Sequence, residues 1–432
     1  MEECRVLFAK DCLEFELNNE DEQALKYFIQ NNSSNNSLFS FKQEKSREDD
    51  IILAEYDYRQ GKWYAGRYVG SARFNYNNIQ YELVIQPRFG NVIFFKIIEE
   101  IFNIKVVDNQ SGISKNNDSE ILMKKLISMI WLKKLSKANK HGLPRKTVKK
   151  QHKGYSARGR ISVSKSAIPY YTEGKVVSQS YEKECDYIIS RIILEAYNKL
   201  NKYYSLSSLN LPQNIKDIVH EIQSMPSNRK SVTLNEYKSI KYKSIYQSYK
   251  EIVDFSWLII RSSDINTNNK NHKNGMGFFL DMAEIWEIYI KTILEKNFKN
   301  EGWKISSDEI EVYKDTFFKR KIIPDIIMKK DENIFVLDAK YKKMMFRKID
   351  LDRSDFFQIH TYMSYYLSKN NLLGGGLIYP FAGEIRDNSS SGLFGDSNCN
   401  TSFFVDGINI EDSNTFEEAK NEFIRRIAMK LN

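Results

Sequence analysis

Ile323-Pro324-Asp325-Ile326-Ile327, followed by Phe335-Val336-Leu337-Asp338-Ala339-Lys340, is the stretch whose reading decides the fold. Ile322 to Met328 and Ile334 to Tyr341 are rich in isoleucine, valine and phenylalanine, residues that suit a pleated, half-buried surface, so both read as strands. Lys329-Lys330-Asp331-Glu332-Asn333 between them reads as a turn, which predicts a hairpin. Side chains two apart on a strand share a face. Asp338 and Lys340 therefore point the same way, and Asp325 meets them from the neighbouring strand, about 5 Å away. Two carboxylates and an ammonium at a sheet edge can hold Mg²⁺, a hard cation that takes oxygen ligands and keeps several waters. The metal acidifies a bound water and screens a phosphodiester, while the lysine orients that water and stabilises developing charge. The same three residues also fit a solvated strand with a weak surface ion pair, so the flanking sequence carries the decision.

Upstream, Gly277 to Glu287 opens a helical pattern, with apolar residues at Phe279, Met282, Ala283, Trp286, Tyr289, Ile290 and Ile293. Glu287 borders that stripe and is expected to reach the metal; Glu284 reads as a solvated flank. Downstream, Ser354 to Tyr362 begins a second helix, on which Gln358 and Tyr362, four apart, share one face. Leu372 to Pro380 reads as a further buried strand. Helix, strands, helix, strand is the order of a mixed α/β layer.

With Pro324-Asp325 and Asp338-Ala339-Lys340 as its motifs and Gln358 and Tyr362 as a Q-x-x-x-Y helix, this order resembles the PD-(D/E)XK nuclease superfamily. The strings GFFLDMAEIWEIYI, PDIIM, VLDAKYK and SDFFQIHTYMSYY together resemble one family more closely: McrC, the nuclease subunits of McrBC modification-dependent restriction systems. The resemblance is specific over residues 275 to 380 and weaker in RYVGSARFNYNNIQYELVIQPRFGN and ARGRISVSKS upstream. It implies Mg²⁺-dependent cleavage of double-stranded DNA by this subunit. Asp325 and Asp338 would be metal ligands, Lys340 the catalytic lysine, Glu287 a further ligand, and Gln358 and Tyr362 supporting residues. It also implies a partner, a McrB-like AAA+ GTPase ring that recognises modified cytosine and translocates DNA, and an amino-terminal part that engages this ring and stimulates its GTPase. Two other functions are consistent with the residues: a stand-alone repair or recombination nuclease, and a non-cleaving activator of the partner.

The rest of the chain frames that site. Its 432 residues predict a multidomain α+β/α/β protein. The expected parts are a β-rich N-terminal domain over 1–110, a basic and mainly helical region over 111–265, and a C-terminal restriction-endonuclease-like α/β domain over 275–432. The polar, asparagine-rich Asn266 to Asn274 divides the last two. A net charge of +9 favours a polyanionic partner. From Ile121 to Arg160 there is no acidic residue. The second half of this run, which includes Arg145, Lys149, Lys150, Lys153, Arg158 and Arg160, carries four helix breakers and reads as a loop. Lacking compensating acids, it is expected to touch DNA or the partner. Cys4, Cys12, Cys185 and Cys399 show no metal or disulfide spacing and fit reduced thiols in the cytoplasm. No apolar run approaches a membrane span. No G-x-x-x-x-G-K-[ST] phosphate loop is present, so nucleotide hydrolysis is expected of the partner and not of this chain.

Overall fold

A computed structural model describes residues 4–32, 38–39, 52–102, 118–203, 206, 211, 213–224, 231–262, 278–313, 316–318, 320–342, 351–368, 371–383, 385, 389–396 and 400–431. The expected divider Asn266 to Asn274 and Cys399 lie outside the described residues. The chain forms two units, Met1–Asn103 with Lys270–Asn432, and Ile104–Asn269.

The first unit contains two large sheets. In its amino-terminal sheet, Tyr68–Tyr76 and Ile79–Gln86 form a hairpin whose register pairs Tyr76 with Ile79 across Asn77-Asn78. Both asparagines take positive φ (50° and 63°). Asparagine tolerates that region, and such two-residue turns match the twist of the flanking strands. Arg5–Lys10 adds to Ile79–Gln86 in parallel, and Phe278–Asp281 adds to Tyr68–Tyr76 in antiparallel. Leu7, Leu25, Phe28, Phe74, Tyr81, Leu83 and Phe279 form the core beneath.

That last strand corrects the sequence reading at two points. Phe278 to Asp281 is extended, and the helix begins only at Met282, where the Asp281 carboxylate caps Ala283 N at 3.0 Å. Asp281 also pairs with Arg67 at 3.0 Å. The expected boundary before 275 is thus replaced: the start of the carboxyl-terminal part completes the amino-terminal sheet, and residues 1–103 and 270–432 make one unit.

The second sheet has the strand order Lys304–Ser306, Ile326–Lys330, Asn333–Ala339, Asn371–Phe381, Ser402–Asn409, Ser390–Gly392. Ile326–Lys330 and Asn333–Ala339 form the expected hairpin, with Asp331 at φ 53° in its tight turn. Asn333–Ala339 and Asn371–Phe381 run parallel, joined through the helix Arg353–Leu367. That helix covers one face with Ile359, Met363 and Tyr366, packed on Val336, Leu372 and Leu377. Close packing needs the glycine run of the central strand. A Cβ on Gly375 would lie 2.5 Å from the Met363 sulfur, and one on Gly376 would lie 2.4 Å from the Phe404 ring. On the sheet's other face Phe335 stacks on Phe404, and Tyr289 of helix Met282–Phe298 stacks on Phe416.

The second unit is only partly helical. Asp118–Ala138, Tyr187–Tyr203 and Tyr249–Ser262 carry buried Met129, Leu132, Ile192, Ala196, Ile252 and Ile259, and the Trp131 indole donates to Ser256 Oγ at 2.9 Å. Arg145–Gly154, expected to be a loop, is a ten-residue strand paired antiparallel with Val176–Cys185, and Arg160–Ile161 adds a third, short strand. The reason lies 30 residues downstream. Glu182 and Glu184 stand on the partner strand, and Lys150 forms ion pairs with both. Opposite charges across a ladder stabilise what a lysine-rich segment alone would not hold.

Candidate active site

The end of the hairpin gathers the predicted groups. Asp338 follows Ile334 and Val336 on the face covered by helix Arg353–Leu367 and has no exposed surface (0%). Lys340 continues the ladder beyond Ala339, its backbone N donating to Ile378 O at 2.9 Å. Lys340 Nζ lies 2.7 Å from Asp338 Oδ2. This is an ion pair by distance, yet neither Asp338 oxygen accepts a hydrogen bond of ordinary geometry among the described residues. Asp325 arrives from the residue just before the neighbouring strand Ile326–Lys330, where its Oδ2 accepts Ala339 N at 2.9 Å. Sequence reading did not foresee what steadies it: Ser307 Oγ donates to Asp325 O at 2.6 Å, and Lys291 donates to that hydroxyl at 2.7 Å.

Gln358 and Tyr362 stand where the helical spacing put them. Lys340 Nζ donates to Gln358 Oε1 at 2.7 Å, Gln358 Nε2 donates to Tyr362 OH at 2.8 Å, and Tyr362 OH donates to Ile323 O at 3.2 Å. The amide therefore has a fixed sense, its oxygen toward the ammonium, because the tyrosine hydroxyl spends its proton on a backbone carbonyl. Burial is the main cause that raises the Tyr362 hydroxyl above its ordinary value.

The electrostatics are lopsided. Burial pushes the Asp338 carboxyl above the usual carboxylate range, against the pull of Lys340. Burial alone would lower Lys340, but Asp338, helped by Asp325 and Asp355, more than offsets it and holds the ammonium above its ordinary value. Both members of the pair thus move upward. The asymmetry follows exposure, since the lysine side chain keeps 16% of its surface and the aspartate none.

Two glutamates differ from expectation. Glu284, read as a solvated flank, is buried. Glu287, expected at the metal, is half-buried on its helix and does not join Asp325 and Asp338 in a three-carboxylate group. No set of three His, Cys, Asp or Glu side chains among the described residues converges closely enough to hold a metal. The neighbouring Trp286 takes the inward position, its indole donating to Ile378 O at 3.2 Å. The third carboxylate near Lys340 is instead Asp355, 3.8 Å away and buried. Its signal in the sequence was its place one turn before Gln358, which a helix puts on the same face.

Divalent-cation chemistry fits these residues. Asp338 is fully buried with one ammonium 2.7 Å away as its compensation, which leaves lone pairs that a hard cation can take. Asp338 and Asp325 would hold the ion.

The basic run resolves differently. Lys146 pairs with Asp186 at 2.7 Å, Arg145 with Glu221 at 3.1 Å, Lys150 with Glu182 at 3.0 Å and Lys153 with Glu173 at 2.5 Å. The acids missing from the run are supplied by the paired strand and by neighbouring helices. Lys149, Arg158 and Arg160 have no acidic partner among the described residues, and beside them Val163, Ile168, Tyr170, Tyr171 and Tyr181 are exposed.

A family model described as the McrBC 5-methylcytosine restriction system component matches residues 64–380, well over half of the chain. The chain belongs to the McrBC family. Among solved structures, it resembles a chain in the refined half-complex from a tetradecameric assembly of Thermococcus gammatolerans McrB AAA+ hexamers with bound McrC. The identity is 15%, 99% of each chain is covered and the TM-score is 0.51. A second, from the cryo-EM structure of the Thermococcus gammatolerans McrBC complex, aligns at 14% identity over 68% of this chain and 88% of that one, with a TM-score of 0.36. A comparison with curated proteins finds no match. The McrBC assignment agrees with the resemblance seen in the hairpin motifs, and the structural likeness supports a mixed, multidomain α/β fold. Among the described residues, no helix is long and apolar enough to cross a membrane.

Proposed function

We propose that this McrBC-family chain is the Mg²⁺-dependent endodeoxyribonuclease subunit of a GTP-dependent, modified-cytosine-directed restriction complex. The observation that carries the reading is Asp338, a fully buried carboxylate beside Lys340 and Asp325 whose oxygens accept no directed hydrogen bond. In this reading the carboxyl-terminal sheet is a PD-(D/E)XK core. Asp325 and Asp338 hold Mg²⁺, which when bound acidifies a water and screens the scissile phosphate. Lys340, held by Gln358, orients the attacking water and donates to the phosphate oxygens as charge builds. Tyr362 fixes the Gln358 amide so that the ammonium is met by an acceptor and not by an N–H. Glu287 stands outside the metal set.

The partner is an AAA+ GTPase ring, by analogy with the McrB hexamers that bind McrC in the related assembly. Ile104–Asn269 is the docking element, and it stimulates the ring's GTPase. Its exposed Val163, Ile168, Tyr170 and Tyr171, with Arg158 and Arg160 just before them in sequence and without an acidic partner among the described residues, offer apolar area and positive charge, as a protein-binding surface requires. The test mixes the chain with its AAA+ partner and compares cutting of methylated and unmethylated double-stranded DNA, with and without GTP. Cutting confined to methylated DNA, GTP and Mg²⁺ together is the expected result. Cutting by the isolated chain without GTP would favour a stand-alone nuclease. GTPase stimulation with no cutting at any divalent concentration would leave only an activator.

A further inference from the structure

Two ammonium groups, Lys340 and Lys342, and three carboxylates meet at this site, and their distances are unequal. Lys340 Nζ is 2.7 Å from Asp338 Oδ2 and 3.8 Å from Asp355 Oδ1. The two carboxylates also differ in what they have left to give. Asp338 oxygens accept no directed hydrogen bond among the described residues. Asp355 is engaged on every side. Lys342 Nζ donates to its Oδ1 at 3.0 Å and to its Oδ2 at 2.9 Å, and Tyr379 OH donates to Oδ2 at 3.2 Å. Its backbone N donates to Asp352 Oδ1 at 3.2 Å, which fixes it in the first helical turn of Arg353–Leu367. Asp355 is 3% exposed. It is a buried carboxylate already held by Lys342 and Tyr379, with less to offer a metal than Asp338 and still close enough to attract Lys340.

We propose that Asp355 is the positioning residue for Lys340. The inference rests on the nuclease reading above and goes beyond it. Once a cation claims Asp338, the shortest partner of the ammonium is lost. Gln358 Oε1 at 2.7 Å remains, but it is neutral. Asp355 is the charge that then keeps the ammonium over the site and not swung out toward water. Lys342 and Tyr379 serve the same end by holding the Asp355 carboxylate still.

The experiment uses the full chain with its AAA+ partner, GTP and Mg²⁺, and reads single-turnover cleavage of methylated DNA. Mn²⁺ binding to the chain alone is measured in parallel by calorimetry. Asp355→Asn keeps the shape and one acceptor for Tyr379. It is expected to slow cleavage at saturating DNA by about ten- to a hundredfold, the scale of a misplaced reacting group. DNA affinity and Mn²⁺ affinity should stay within about twofold of the parent, and Asp355→Glu should recover part of the rate. Gln358→Ala made in the same background should cost more than in the parent, because the two residues hold one ammonium. Cleavage by Asp355→Asn within twofold of the parent would overturn the proposal. So would loss of Mn²⁺ binding, which would make Asp355 a ligand, or a fall in melting temperature that accounts for the lost rate. Asp338→Ala is the separate control: if that variant cuts normally, the nuclease reading fails whatever Asp355 does.

Discussion

The hairpin end in the first unit and the basic strand in the second are both dense in charge, and they use it in opposite ways. At the hairpin end, Asp325, Asp338 and Asp355 lie about Lys340 and Lys342, so acids outnumber amines and one carboxylate is left without directed donors. Along Arg145–Gly154, positive charges stand on the surface and most find a carboxylate on the next strand or helix. Burial makes the first imbalance expensive, and expensive polar arrangements persist where a ligand or a reaction repays them. Exposure makes the second cheap, and its ion pairs contribute little each. A high local count of charged residues is thus a weaker indicator of a site than a small cluster that fails to balance.

The sharpest way to break this comparison is to remove the unbalanced acid. Asp338→Ala and Asp325→Ala should each lower DNA cleavage by about a thousandfold or more, the scale of lost metal and electrostatic catalysis. Stimulation of the partner's GTPase should continue, which a paired GTPase and cleavage assay would reveal.

Next in size is a stability contrast at the same pair. Lys340→Ala leaves Asp338 buried with no cation near it and should cost about 3 kcal/mol in denaturant unfolding. Asp338→Asn should cost far less, or stabilise, when divalent ions are absent. The folded carboxyl is raised above its unfolded value, so the folded state gains from its proton in acid and loses that gain as pH rises through the raised value. Any advantage of Asp338→Asn should therefore be largest near neutral pH and shrink as the pH falls into the carboxylate range. Equal losses for the two variants at neutral pH would contradict the imbalance.

Smaller again is the packing that supports the site. Gly376→Ala drives a methyl into the Phe404 ring and should lower stability by about 1–3 kcal/mol. At the bottom of the scale, Lys150→Ala should shift stability by less than about 1 kcal/mol, as exposed pairs do. Lys149, Arg158 and Arg160, changed together to alanine, should instead weaken association with the partner ring and leave the melting temperature unchanged. Loss of stability without loss of association in that triple variant would assign the strand a purely structural role.

Much of the site was legible in the sequence because its grammar is local. Asp338 and Lys340 are two apart on a strand, Gln358 and Tyr362 are four apart on a helix, and both spacings fix a shared face before any tertiary contact forms. Glu287 and Asp355 show where that grammar stops. Each sits near the apolar stripe of its own helix, and how those helices seat on the sheet, with Trp286 reaching Ile378 O and Met363 against Gly375, is not written in either stripe.

The sequence by itself determined the hairpin, the residue types at its end and the helix that follows. Only the tertiary structure decided that Phe278–Asp281 belongs to the sheet built by residues 5–86, that Arg145–Gly154 is a strand, and that its lysines are largely neutralised. The physical reason is the same in each case. Strand pairing and ion pairing depend on partners far away along the chain, and a segment's own composition carries no record of which distant residues will stand opposite it.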